Sequence, residues 1–318
     1  MKKKILITGA FGYVGGRLAV HLNRQSFSIK LGTRLKRTIP SWLPEAEISI
    51  IDLFDIESIE KAVEDVFAVI HLSALNEIDS LKDPKEAILI NTIGTYNLLN
   101  VCISKGIEQF IYFSTAHVYG SPLKGHITED TLTKPIHPYS ITHRSSEDFV
   151  FASNQQGKIK GIVVRLSNSF GAPISPDVNR WTLLVNDLCK QLVEKRQMTL
   201  LTSGIQKRDF ITLDDVNRAV VHLISLPKFI IGDGIFNLGG RNTMSIIEMA
   251  EKIKIRCKII LGFDPIIHSQ LQNKNEIILD LNYDCSKLSK TNFIWHNRID
   301  EEIDSTLIMC KNTYRDKI

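Results

Sequence analysis

The sequence predicts an α/β fold in which helices cover both faces of a doubly wound parallel sheet. Three observations support this prediction. Short apolar runs alternate with helical stretches through the first half of the chain, a glycine-rich turn follows the first run, and two long helical stretches each end at a glycine. The 318 residues are enough for one large domain or two modest ones with a full core.

The first element is a buried strand at 5–7, followed by a turn with Gly9, Gly12 and Gly15 and then by a helix that extends to about His21. In such a strand–turn–helix unit, the glycines permit a tight turn, a close approach of the backbone to a pyrophosphate, and close packing of helix against strand. The N–H groups at the helix start favour a negative phosphate. The sequence therefore predicts a Rossmann-type dinucleotide site, although a glycine turn also occurs as plain structure.

Further strands are expected at 28–32, 48–51, 67–72, 109–114 and 161–166, with long helices at about 84–104, closed by Gly106, and 139–155, closed by Gly157. In the second half we expect a loop at 168–173, helices at 181–195, 214–225, 245–253 and about 300–311, and a strand at 235–238. We assign residues 1–167, with returning segments about 205–240, to the dinucleotide-binding domain. Residues 168–204 and 241–318 are assigned to a smaller C-terminal substrate-binding lobe.

The composition argues against several classes of function. The net charge is +4 and the lysines are dispersed, which argues against a nucleic-acid surface. No window is expected to supply the roughly 18 apolar residues of a membrane span. The five cysteines are scattered, without the paired spacing of a zinc site or a disulfide framework, so we expect no metal, reduced thiols and a cytoplasmic location.

Seven motifs occur in order: 8–15, 70–74, 91–95, 113–120, Pro138-Tyr139, 165–168 and 208–211. Their order and spacing resemble the extended short-chain dehydrogenase/reductase family, the nucleotide-sugar epimerases, dehydratases and reductases. The resemblance implies a set of cofactor contacts at matching positions: Gly9, Phe11, Gly12, Tyr13, Val14, Gly15, Asp52, Leu53, Leu72, Ser73, Ala74 and Asn91. Asp52 and Leu53 match the pair that flanks adenine.

The end of the second strand bears on the choice between NAD and NADP. An NAD site usually presents a carboxylate there, and an NADP site an arginine for the extra phosphate. This chain has no acid at that position; Arg34, Lys36 and Arg37 follow the strand instead. NADP is therefore favoured and NAD stays possible, since a plain surface loop is also rich in lysine and arginine.

The resemblance also implies the catalytic groups. Tyr139 matches the tyrosine that transfers a proton, and Thr115 matches the hydroxyl that hydrogen-bonds the reacting oxygen. One helical turn after Tyr139 the family has lysine, and here His143 occupies that position, next to the cofactor. An exposed histidine would be charged in only about a quarter of molecules at pH 7. Arg144 is expected to face away. Three interpretations stay open: the neutral His143 ring donates to a ribose hydroxyl of the cofactor, the positive ring of an oxidised nicotinamide stabilises the tyrosinate, or the histidine is kept only for structure.

In the second half, Asn168 and Arg208 match residues that bind a nucleotide diphosphate, and His117 is a further candidate at the substrate. Sugar dehydratases of the family carry two carboxylates after the threonine, whereas this chain has Ala116 and His117, which argues against dehydration. If His117 has no role at the substrate, we expect it to be an ordinary surface histidine.

The resulting expectation is an NAD(P)-dependent nucleotide-sugar epimerase that moves hydride at a ring carbon of the sugar. C4 is the favoured carbon. The alternatives are a one-way nucleotide-sugar dehydrogenase or ketoreductase, and a dinucleotide-binding sensor without turnover. The resemblance also implies a homodimer formed by the two long helices. Their apolar positions serve that interface or face the sheet; they are Ile88, Ile93, Leu98, Leu99, Phe149 and Val150.

Overall fold

The computed structural model describes residues 2–271 and 278–314. The first half contains, in chain order, β1 (Lys4–Thr8), α1 (Tyr13–Arg24), β2 (Ser28–Thr33), β3 (Glu47–Ile50), α2 (Ile56–Val63), β4 (Ala68–His71), α3 (Glu77–Lys82), α4 (Pro84–Ala87), a π-helical segment (Ile88–Gly94), α5 (Thr95–Ser104), β5 (Gln109–Thr115), a 3₁₀ turn (Ala116–Tyr119), β6 (Gly125–Ile127), α6 (Pro138–Gln155) and β7 (Lys160–Leu166).

The second half contains β8 (Asn168–Phe170), α7 (Leu184–Lys195), β9 (Gln197–Thr199), β10 (Lys207–Thr212), α8 (Leu213–Ser225), α9 (Lys228–Ile231), β11 (Ile235–Leu238), β12 (Thr243–Ser245), α10 (Ile246–Ile260), β13 (Ile266–His268), β14 (Leu281–Tyr283), α11 (Ser286–Ser289) and α12 (Ile299–Tyr314). The segments 272–277 and 315–318 of the predicted second lobe lie outside the described residues.

A seven-stranded sheet forms the centre of the fold, in the order β11-β7-β5-β4-β1-β2-β3, and all its pairings are parallel. This confirms the predicted α/β class. Side chains alternate across the sheet: Ile5 and Ile7 pack on the face covered by α1 and α8, and Leu6 packs on the face covered by α2 and α5. The carboxyl ends of the strands share one edge, where open α/β sheets bind ligands.

The second half returns to this sheet only in part. Strand β11 pairs with β7 at the sheet edge, and α8 packs on the face that also carries α1. Strand β10, which was included in the returning segment 205–240, pairs instead with β8 and β12 in a small separate sheet. A third apolar cluster, centred on α7, α10 and α12, lies in this half. The proposed domain boundaries stay a prediction.

Three predicted helices differ from the structure, and the loop expected at 168–173 contains the strand β8. The helix expected at 181–195 begins at Leu184, because Leu183 has an extended backbone. The helix expected at 245–253 extends to Ile260, with Ser245 and Glu248 forming a capping box at its start. The stretch expected as one helix at 84–104 contains a π-helical turn at Ile88–Gly94, which nothing in the apolar pattern indicated.

That same stretch corrects a second expectation. Within residues 2–271 and 278–314, Pro84–Ser104 is one helical stretch of 21 residues that is long and apolar enough to cross a membrane by length and composition alone. Half of it is buried inside the protein, as in the core helices of globular domains. Length and composition therefore do not distinguish a membrane span from a core helix here.

Candidate active site

A cavity of about 560 Å³ lies along the carboxyl edge of the main sheet. The structure brings almost every predicted site residue to its walls: Gly9, Phe11, Gly12, Tyr13, Val14, Gly15, Arg34, Leu53, Leu72, Ser73, Ala74, Thr115, His117, Tyr139, His143, Asn168 and Arg208. The cavity is therefore continuous from the glycine turn to the second half of the chain.

The glycine turn forms one end of the cavity. Gly9 has a φ of +71°, and the Gly12 N–H donates to its carbonyl at 2.9 Å. A Cβ on Gly15 would lie 2.4 Å from the Gly9 oxygen, so no side chain fits there without moving the backbone. Helix α1 begins at Tyr13, and its first N–H groups have no partners within the helix. This geometry fits the pyrophosphate of a dinucleotide.

Positive side chains flank the region where β2 ends. Arg34 and Arg37 both line the cavity, and the Arg37 guanidinium lies 4.6 Å from the centre of the Phe11 ring. Leu53 is buried at the cavity wall. Asp52, which the resemblance placed beside adenine, is exposed and lies outside the lining, because its carboxylate accepts from the Phe54 N–H in a local turn.

Tyr139, Thr115 and His143 come together where β5 ends beside the start of α6. Tyr139 lies in the first turn of α6, where the His137 side chain accepts its N–H at 3.2 Å. Thr115 is the last residue of β5, and its hydroxyl accepts from the His117 N–H. The rings of Tyr139 and His143 are 4.4 Å apart in an edge-to-face arrangement. The spacing of four residues on a helix therefore places both rings at one cavity wall.

His143 is buried, and burial lowers its pKa to about 3. The expectation of a partly charged ring was wrong, because it used the pKa of an exposed histidine. At neutral pH the ring carries no charge. The hydroxyl of Tyr112 lies 2.7 Å from its Nδ1, and Nε2 is buried without a hydrogen-bond partner among the described residues.

Among the described residues of α6, no cation lies beside Tyr139. Arg144 pairs with Glu147 at 3.0 Å and with Asp148 at 2.6 Å, as expected of a residue that faces away from the cavity. Burial raises the pKa of Tyr139; the Glu77 carboxylate raises it further and Arg180 lowers it. Tyr139 is thus protonated at neutral pH in the free protein.

Asn91 is the second predicted cofactor residue that does not line the cavity. It is fully buried in the π-helical turn: its Oδ1 accepts from the Leu75 N–H at 2.7 Å, and its Nδ2 donates to the Thr142 hydroxyl at 3.0 Å. The Ser146 hydroxyl donates to its carbonyl at 2.8 Å. Asn91 therefore fixes the first turns of α6 and the loop after β4.

A buried chain of hydrogen bonds connects the glycine turn to the same helix. Thr8 Oγ1 is 2.6 Å from Nδ1 of His71, Nε2 of that ring is 2.9 Å from Thr95 Oγ1, and the Thr95 hydroxyl donates to the Asn91 carbonyl. Burial lowers the pKa of His71 to about 3, so this ring is neutral too. The end of β1 is thereby held to the helix that carries Asn91.

A buried ion pair lies next to the predicted catalytic residues. Arg165 on β7 binds Glu147 on α6 through two nitrogens, the closer at 2.8 Å, and the Ser114 hydroxyl donates to the same carboxylate. Arg165 also donates to the Tyr119 hydroxyl at 2.7 Å. Fork-shaped pairing of this kind fixes geometry, so β5, β7 and α6 are held together next to Thr115.

The second half of the chain supplies the other end of the cavity. Asn168 donates to the Asp209 carbonyl at 3.0 Å, and Arg208 donates to the Gln206 side chain at 3.2 Å. Burial lowers the pKa of Arg208. Of the two expectations for His117, a surface histidine or a residue at the substrate, the first is wrong. His117 is half-buried and lines the cavity. These side chains can meet an anionic ligand at this end.

An ion pair that the sequence did not indicate spans the cavity. Glu77, at the start of α3, lies 3.7 Å from Arg180, which precedes α7 in the other half of the chain. Both line the cavity and both act on Tyr139. Neither belongs to a recognisable motif, and only the fold brings them together. Within the described part of the chain, no group of three potential metal ligands occurs.

Comparison with known proteins identifies relatives over most of the chain. A model of the NAD dependent epimerase/dehydratase family matches residues 5–239. An uncharacterized UDP-glucose epimerase of Bacillus subtilis, YtcB, is 26% identical over 274 residues, 79% of this chain and 81% of that protein. A dTDP-D-glucose 4,6-dehydratase of Dictyostelium discoideum is 27% identical over 79% of this chain, which spans only 61% of that protein.

Solved structures share the fold. UDP-glucuronic acid 4-epimerase of Bacillus cereus, in complex with UDP-glucuronic acid and NAD, aligns with a TM-score of 0.78 and 25% identity over 98% of this chain and all of that chain.

Proposed function

Since the chain belongs to the NAD dependent epimerase/dehydratase family, we propose that it is an NAD(P)-dependent nucleotide-sugar 4-epimerase. One observation carries the proposal: Tyr139 and Thr115 share a single cavity with the glycine turn at one end and with Asn168 and Arg208 at the other. Relatives named as 4-epimerases of UDP-sugars support the same reaction. Dehydration is disfavoured, because Ala116 and His117 offer no carboxylate where the family's dehydratases carry two.

The residues present fit a dinucleotide, since a Cβ on Gly15 would fill the turn and the Nε2 atom of His143 is left without a partner. The nicotinamide, when bound, supplies the oxidising and reducing equivalents of the reaction. After Tyr139 has released its own phenolic proton, its phenolate takes the proton from the sugar hydroxyl at C4 and later returns it, and the Thr115 hydroxyl holds that same oxygen. Arg208 binds the diphosphate of the substrate.

The test is Tyr139→Phe, assayed on a panel of nucleotide sugars with each cofactor. We expect turnover to fall by about 10²-fold or more, while cofactor binding stays unchanged, because only the proton-transferring hydroxyl is removed. Tyr96→Phe, at a half-exposed tyrosine outside the cavity lining, is the matched control. Full activity of Tyr139→Phe would refute the assignment. Cofactor binding in the wild-type protein with no turnover on any sugar would instead support a sensor.

For the cofactor, we propose a preference for NADP over NAD. The lining near the end of β2 contains Arg34 and Arg37, which suit a 2′-phosphate, and no acidic residue follows this strand directly. Arg34→Ser should weaken NADP binding about tenfold and leave NAD binding unchanged. Equal dissociation constants for both dinucleotides in the wild-type protein would contradict the preference.

We also propose a homodimer formed by the two long helices. The apolar positions expected there divide into two groups. Ile88, Ile93 and Phe149 are exposed on neighbouring helices and can meet a second copy. The others are buried in the protein and face the sheet; they are Leu98, Leu99 and Val150. Ile93→Asp should convert a dimer to a monomer by light scattering, whereas a wild-type monomer would refute the proposal.

A further inference from the structure

The ring of His143 has two different nitrogen environments. Nδ1 lies 2.7 Å from the Tyr112 hydroxyl, on the side of the strand β5. Nε2 is buried and has no hydrogen-bond partner among the described residues, although the ring lines the cavity. A buried polar atom without a partner is unfavourable, because it loses its hydration and gains no hydrogen bond in return. Such an atom in a cavity wall indicates a ligand that supplies the missing hydrogen bond.

The direction of the bond to Nδ1 decides what Nε2 can do. A phenol is a stronger acid than a neutral imidazole N–H, and an imidazole nitrogen is a stronger base than a phenol oxygen. The bond is therefore strongest when Tyr112 donates and Nδ1 accepts. The single proton of the neutral ring then lies on Nε2.

The surroundings keep the ring neutral and leave Tyr112 free to donate. Three titratable neighbours of the ring carry no charge at neutral pH: His71, Tyr112 and Tyr139. The nearest carboxylate on the same helix face, Glu147, is occupied by Arg165 and Ser114. The Ser146 hydroxyl, which also lies near Tyr112, donates to backbone carbonyls and is a competing acceptor for the Tyr112 proton.

We propose that Tyr112 is a positioning residue that fixes His143 as a neutral Nε2–H donor toward a ligand in the cavity. The hydrogen bond that a lysine ammonium makes in the family is thus supplied without a charge. The identity of the ligand as the nicotinamide cofactor rests on the proposed function, whereas the location of the proton does not.

The proton is located by ¹⁵N NMR of the free protein with labelled histidine, at pH 6 to 8. The chain has nine histidines, so the His143 signals are assigned by their loss in His143→Gln. We expect one tautomer, protonated at Nε2, with no change across this pH range. A ring protonated at Nδ1, or a charged ring, would overturn the proposal. Because this measurement uses no substrate, its result is independent of whether the protein turns over a sugar.

Tyr112→Phe tests the positioning role. Loss of the donor should leave His143 in a mixture of both tautomers and weaken binding of the oxidised dinucleotide about fivefold. Tyr119→Phe, which removes the hydroxyl of a buried tyrosine bonded to Arg165 rather than to His143, should change neither. A single Nε2–H tautomer in folded Tyr112→Phe would refute the role of Tyr112. If that variant does not fold, the wild-type spectrum still decides the direction of the bond.

Discussion

Replacing His143 with lysine tests the electrostatics of the site most directly. The two rings are 4.4 Å apart, so an ammonium at position 143 would lie within about 4 to 7 Å of the Tyr139 oxygen. At an effective dielectric of about 20, this attraction stabilises the phenolate by about 2 to 4 kcal/mol, or about 2 to 3 in pKa. Burial also lowers the pKa of the introduced amine, so we expect the lower value, about 2.

The assay is the pH dependence of kcat/KM with the best nucleotide sugar. A base must be deprotonated to act, so a lower pKa of Tyr139 moves the acidic limb of the profile to lower pH by about 2. His126→Lys is the matched control, because His126 is exposed and bonded to Asn282 outside the cavity lining. An unchanged profile in folded, cofactor-bound His143→Lys would refute the coupling between the two positions.

Three further changes are informative. Glu77→Gln should also move the acidic limb of kcat/KM to lower pH, because the pKa of Tyr139, raised first by burial, is raised further by this carboxylate; an unmoved limb would show that Glu77 does not act on the phenol. Gly15→Ala should weaken dinucleotide binding at least tenfold in a fluorescence titration, since its Cβ would meet a loop oxygen at 2.4 Å, and unchanged binding would refute the close approach. Arg165→Met should lower the urea-unfolding free energy by about 3 kcal/mol, the low end for a broken buried ion pair, because the buried Glu147 carboxylate keeps only Arg144 and Ser114 as partners; a loss under about 1 kcal/mol would mean that these two partners suffice.

The sheet was predictable because each strand is a short apolar run bounded by turn residues, a pattern that depends on local sequence. The glycine turn was predictable for the same reason: Gly9, Gly12 and Gly15 carry the backbone requirement in their own chemistry. The π-helical turn was not, because its apolar pattern continues that of an ordinary helix, and the contact that Asn91 makes there is with Thr142, far away in the sequence.

The residues of the candidate site were largely predictable from the sequence, whereas their charges were not. Motif order indicated Tyr139, Thr115 and His143, but the charge of the histidine depends on burial, which the sequence does not contain. Tyr112 could have been found from strand alternation, since it lies two residues before Ser114, on the β5 face that meets α6. The pairing of Glu77 with Arg180 joins the first residue of α3 to the loop before α7, far apart in the chain, and no local signal indicates it.

The buried chain through His71 makes the protein sensitive to acid. The imidazole of His71, like that of His143, has a pKa of about 3 in the folded protein, against about 6.5 in the unfolded chain. At acidic pH the unfolded state therefore binds two protons that the native state does not bind. The stability that the two neutral rings give the folded protein is complete above pH 6.5 and is lost as the pH falls toward 3. Between about pH 5.5 and 4 the two rings should remove about 3 kcal/mol of folding free energy per pH unit, measurable by urea unfolding. A flat stability curve over that range would mean that the two imidazoles are not held neutral.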